Sequence, residues 1–88
     1  MGAPVAQFVK YQKKPLVVDA IQFTGDREKV EDFVGKERVH FSGLLYLDTP
    51  DGYIAIYLND WILKMPNGDI SGCRPEIFST FYEPIEQQ

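Results

Sequence analysis

The 88-residue chain has a single cysteine and a single histidine. One cysteine excludes an intrachain disulfide and any cysteine-based metal cluster, and it suits a reducing compartment. No apolar run approaches the roughly 18–20 residues of a membrane helix, and the N-terminus lacks the basic-then-apolar order of a secretion signal. The expectation is a soluble, cytoplasmic protein without a membrane partner. Catalytic signatures are also missing: there is no glycine-rich phosphate loop, no HExxH, no DxDxDG loop and no GxSxG elbow. The chain therefore reads as non-enzymatic, with no metal and no cofactor. Basic residues are few, 9 Lys and Arg against 13 Asp and Glu, for a net charge of −4. They are unevenly placed, since residues 1–18 hold Lys10, Lys13 and Lys14 with no acid, while residues 19–88 carry a net −7. An acidic body repels the phosphates whose neutralisation drives nucleic-acid binding, so a nucleic-acid partner is disfavoured.

What the chain does have is apolar and aromatic: 44% apolar residues, with 6 Phe, 5 Tyr and 1 Trp. That suffices for one small core, and we expect an arm over residues 1–9 and one α+β domain over 10–88. Leu16 to Thr24 is apolar on both alternation faces, which predicts a central strand covered on two sides. Asp26 can cap a helix over Arg27 to Val34, whose Val30, Phe33 and Val34 form one stripe, and Gly35 suits its end. Short strands are expected at Arg38–Phe41, Leu44–Thr49 and Tyr53–Leu58, with turns at Ser42-Gly43, Pro50-Asp51-Gly52 and Asn59-Asp60. Asn67-Gly68 predicts a type I′ hairpin pairing Trp61–Met65 with Asp69–Cys73. Pro75 and Glu76 open a short helix to about Phe81, and Tyr82–Ile85 leaves as an edge segment. Together these describe a bent antiparallel sheet of five or six strands that could close towards a barrel, with one helix and a short C-terminal helix.

Asp19 falls on the alternation face of Val17, Ile21 and Phe23, where a carboxylate must be paired, hydrated or protonated. It reads either as a buried acid lining a ligand pocket or as a carboxylate at a sheet rim paired with a base. Arg74, at the junction of the hairpin and the second helix, is the natural donor to name. Its fork could bind an anion beside the helix start, or make a structural ion pair. Cys73 adjoins it but lacks a base, because His40 lies 33 residues earlier, so it reads as a small hydrophobe. Asp48, Asp51, Asp60 and Asp69 read first as turn residues. Tyr46, Tyr53, Tyr57 and Trp61 are close in sequence on adjacent strands and could share one sheet face, for core or dimer packing or for stacking on a base.

Two blocks carry a resemblance: Lys10-Tyr11-Gln12-Lys13-Lys14-Pro15-Leu16-Val17-Val18-Asp19-Ala20-Ile21-Gln22-Phe23-Thr24-Gly25, and Cys73-Arg74-Pro75-Glu76-Ile77-Phe78 followed by Tyr82-Glu83-Pro84. With Asp60-Trp61-Ile62-Leu63 and Asn67-Gly68-Asp69 between them, the chain resembles a family of small phage and prophage proteins. Leu58-Asn59-Asp60 stands where that family has Pro-Gly-Asp, Ile70-Ser71-Gly72 replaces an aromatic-rich stretch, and Phe81 replaces a Thr. The resemblance implies a phage origin, with the cytoplasm of the bacterial host as location, but no activity. By class analogy, small phage proteins without catalytic residues either sequester a host signal molecule or block a host protein. The first option is a homo-oligomer capturing a small anionic, nucleotide-like defence signal near Arg74, Lys13 or Lys14, with Asp19 in the pocket and Trp61 or Tyr57 as stacking surface. The second is an acidic module that docks on and inhibits a host protein.

Overall fold

The computed structural model describes residues 9–12 and 15–85. Their chain order is β1 (Asp19–Gln22), α1 (Arg27–Val34), a short 3-10 turn (Lys36–Arg38), β2 (Val39–Ser42), β3 (Leu44–Thr49), β4 (Gly52–Ile56), β5 (Trp61–Lys64), β6 (Ile70–Cys73) and α2 (Pro75–Phe81). The class is α+β. The strands form two antiparallel three-stranded sheets, in the orders β1-β5-β6 and β2-β3-β4, rather than one bent sheet, and they do not close into a barrel. Lys13 and Lys14 lie outside the described residues, as does the expected arm apart from Val9.

Helix α1 forms where its signals place it. The Asp26 carboxylate accepts the Lys29 N–H at 3.2 Å, satisfying one donor that the first turn leaves open. Gly35 ends the helix at φ 101°, where a side chain would be strained, and its N–H reaches the Glu31 carbonyl at 2.9 Å. Val30 and Val34 are buried by this arrangement. They meet Val39, Leu45, Leu47 and Ile56 from the inner face of β2-β3-β4, and Ile62 and Ile70 from the other sheet. Each such aliphatic side chain contributes roughly 1.5–3 kcal/mol through burial.

The two-sided apolar pattern of Leu16–Thr24 marks a different position from the one expected. Among the described residues, β1 is four residues long and lies at a sheet edge, paired only with β5. Ile21 and Phe23 pack against the core, but Leu16 and Val17 are exposed, Val17 by 60%. The central strand is β5, whose adjacent Ile62 and Leu63 point to opposite faces and are both buried. β4 stops at Ile56, and Tyr82–Ile85 forms no strand.

The hairpin joining β5 to β6 has the expected partners, Trp61 opposite Cys73 through Lys64 opposite Ile70. Its turn is not type I′, which needs positive φ at two central residues. Pro66 fixes a negative φ, and Asn59 is the only described non-glycine residue with positive φ. The Gly68 N–H donates to the Met65 carbonyl and the Met65 N–H to the Asp69 carbonyl, both at 2.8 Å. Only Gly68 takes a positive φ, 92°, as in a three-residue loop ending in a bulge.

Gly72 brings the two sheets together. A Cβ built there would lie 2.9 Å from Ile56 Cδ1 and 3.7 Å from Ile54 Cδ1, so β6 approaches β4 through a missing side chain. Gly72→Val should overpack this seam at a cost of about 1–3 kcal/mol. Thermal unfolding should show a midpoint lowered by several degrees, and an unchanged midpoint would mean that the seam is slack.

Candidate functional site

The chain turns between β4 and β5 at Tyr57–Asp60, and this turn holds the one buried charged residue among those described. The Asp60 N–H donates to the Tyr57 carbonyl at 3.0 Å, while Asp60 Oδ2 accepts the Tyr57 N–H at 2.9 Å. Asn59 occupies the left-handed region at φ 74°, which Asn tolerates better than most residues. The turn is tied to the end of β1 as well. Asn59 donates its N–H to the Phe23 carbonyl at 2.7 Å, Phe23 donates its own to the Asp60 carbonyl at 2.8 Å, and Gln22 Nε2 donates to the Asn59 carbonyl at 3.1 Å.

Asp60 is only 4% exposed and its carboxylate faces Arg74, with Nη1 at 2.9 Å from Oδ1. That contact is an ion pair without an aligned N–H, so Oδ1 has no well-formed hydrogen bond. The Arg74 side chain is half-exposed, sits 5.6 Å above the Tyr57 ring and has Glu76 Oε1 at 3.9 Å. Two carboxylates and an aromatic face therefore surround one guanidinium. A small hollow of about 190 Å³ opens here, lined by Ala55, Tyr57, Asp60, Gly72, Cys73 and Arg74.

Cys73 borders this hollow. Burial first, and then the carboxylates of Asp60 and Glu76, push its thiol above the ordinary value, so the protonated form persists and the sulfur is a poor nucleophile. His40 lies in the other sheet, its ring edge-on to Tyr53 at 5.3 Å.

Trp61 serves packing. Its ring lies 4.0 Å from that of Phe78 with 7° between the planes, and Phe78 continues to Tyr82 at 5.1 Å and 15°. Phe78 and Tyr82 are four residues apart along α2 and its exit, and the stack docks that short helix, which has no buried residue, onto β5. Such stacking adds about 0.5–1.5 kcal/mol per pair beyond burial. One Trp61 face is therefore already taken.

Of the expected site residues that are described, Arg74 and Tyr57 come together, whereas Asp19 lies apart. Asp19 is exposed at the rim opposite Lys64, whose ammonium lies over the Phe33 ring at 4.6 Å. It forms no ion pair with Arg74 and is a carboxylate at the sheet rim, not a buried pocket acid. β1 begins at Asp19 itself, so the alternation that placed it with Val17 has no covered face to act on. The structure brings Arg74 and Tyr57 together but around Asp60, which the sequence marks only as a turn residue. Its carboxylate meets Arg74 from far along the chain while the turn is tied to Gln22 and Phe23 at the end of β1, so no local pattern carries its burial. Of the four clustered aromatics, Tyr46 and Tyr53 share the outer face of β2-β3-β4, with Tyr57 just past its end, whereas Trp61 belongs to the other sheet.

A wider cleft of about 600 Å³ lies along β6 and α2, lined among others by Leu16, Met65, Cys73, Ile77 and Phe81. Among the described residues, no cluster of three or more His, Cys, Asp or Glu side chains could hold a metal ion, and no helix is long and apolar enough to cross a membrane. The chain matches no known protein family, no curated protein and no solved structure.

Two outcomes follow from this geometry. Asp60→Ala should destabilise the domain more than Arg74→Ala, by about 1–3 kcal/mol for the lost acceptor of the Tyr57 N–H and the guanidinium. Equal thermal midpoints would show that the carboxylate is not anchored. Iodoacetamide should alkylate Cys73 more slowly than free cysteine near neutral pH, with the rate inflecting above the ordinary thiol range, whereas an inflection below that range would contradict a protonated, carboxylate-flanked thiol.

Proposed function

We propose that this chain is a non-enzymatic, phage-type binding module that docks through its acidic surface on a basic protein of the bacterial host. The observation that carries this reading is the state of Arg74. Its guanidinium is the cation around which capture of a small anion would be built, and it already neutralises the buried Asp60 carboxylate with Glu76 beside it. An anionic ligand recruited to Arg74 would compete with a carboxylate that is 4% exposed and would leave it without its countercharge, which opposes ligand binding even though water screens the half-exposed guanidinium. The acidic excess is not consumed in this way. Residues 19–88 carry a net −7, and charge of one sign across a small domain speeds encounter with a partner of the opposite sign.

The two readings give different results in solution. If a basic protein is the partner, association should slow steeply as salt rises, and Arg74→Ala should leave binding largely intact. A panel of nucleotides and cyclic dinucleotides should leave the unfolding midpoint unchanged. A ligand at 100 times its Kd would add about 2.7 kcal/mol, so capture could not be missed. A selective upward shift that Arg74→Ala abolishes would overturn the protein-docking reading and establish anion sequestration in its place.

A further inference from the structure

Among the described residues, the outer face of β2-β3-β4 leaves His40, Asp48 and Tyr53 exposed. Cross-strand register places His40 opposite Tyr46, Tyr46 opposite Ala55, and Asp48 opposite Tyr53, all on the side away from Leu45, Leu47 and Ile56. Tyr53 is 66% exposed, and His40 and Asp48 are exposed beside it. Residues 39–63, which include this whole sheet, contain Asp48, Asp51 and Asp60 and not one Lys or Arg. Asp60 is consumed by Arg74, whereas Asp48 and Asp51 make no ion pair among the described residues.

We propose that this face is the docking surface for an Arg- or Lys-bearing segment of a protein partner; the proposal rests on the acidic-docking reading and locates it. The decisive juxtaposition is Asp48 beside Tyr53. Directly opposed residues on antiparallel strands hold their Cβ atoms about 4.5–5.5 Å apart, so one guanidinium can lie over the Tyr53 ring while its fork meets the Asp48 carboxylate. Tyr46 extends the aromatic platform along the sheet, and the exposed Tyr57 ring already holds a guanidinium from within the chain, that of Arg74. A second copy of the chain is the poorer occupant. Two such faces brought together would oppose their own uncompensated Asp48 and Asp51 carboxylates, which costs affinity.

The test titrates the peptide Arg-Gly-Arg-Gly-Arg-Gly into the isotope-labelled protein at low salt and follows backbone amide shifts. Saturable shifts should concentrate at His40, Tyr46, Asp48 and Tyr53. The variants Asp48→Lys and Tyr53→Ala should each weaken binding, by about tenfold for the charge reversal and a few-fold for loss of the ring, with spectra that remain folded. Asp32→Lys, on α1, is the control, and it should leave the face-specific shifts in place. Shifts confined to the acids of α1 and insensitive to Asp48→Lys would overturn this site while leaving acidic docking standing. Absence of any saturable binding would overturn both. A concentration-dependent dimer whose contact shifts fall on the same residues, without peptide, would assign the face to a second copy and overturn the proposal.

Discussion

The structure depends on one carboxylate. Asp60 closes the turn between β4 and β5, accepts the Tyr57 N–H, receives the Phe23 N–H on its carbonyl and meets Arg74 at the entrance to α2. It therefore links the end of one sheet, the edge strand of the other and the C-terminal helix. A buried carboxylate is costly unless its oxygens find donors or a countercharge, and Asp60 finds both kinds of partner within three residues and across the fold. The half-exposed position of Arg74 tempers the energy of the pair, because water screens the cation. The constraint is thus largely geometric. Removing the guanidinium from its place would release the junction between β6 and α2, where the Trp61, Phe78 and Tyr82 rings complete the docking.

Local signals in the chain translate directly into structure where the physics is local. The Asp26 cap, the Val30 and Val34 stripe and the Gly35 stop define α1, and Pro75 and Glu76 start α2 as expected. The pairing of β5 with β6 is equally legible. Features that depend on distant packing are not. Whether Leu16–Thr24 is central or peripheral depends on which strands cover it, and two sheets rather than one put β5 in the middle. Asn67-Gly68 alone points to the wrong turn, because Pro66 and Asn67 become the central pair of a three-residue loop and only Gly68 takes a left-handed φ.

The candidate site shows the same division. Arg74 is legible as a junction residue with an anionic partner, but the partner is Asp60 and not Asp19. Asp19 sits between Val18 and Ala20 and Asp60 between Asn59 and Trp61, and only the fold decides that the second is covered and the first lies at a rim. Tyr57 joins Arg74, Trp61 is drawn into a packing stack, and Lys13 and Lys14 lie outside the described residues. The functional weight then moves from the cation to the surface. We propose that a domain whose candidate receptor Arg is paired internally, and whose outer β2-β3-β4 face bears Tyr46, Tyr53 and Asp48 without a Lys or Arg, suits a cationic protein surface rather than an anion.

The most direct measurement is a double-mutant cycle on Asp60 and Arg74, with Asp60→Asn, Arg74→Gln and the pair compared by equilibrium unfolding. An internally committed Arg74 predicts a coupling energy of about 1 kcal/mol or more. Additive effects, within about 0.3–0.5 kcal/mol, would mean that Arg74 is energetically free of Asp60 and would return it to the role of an anion receptor.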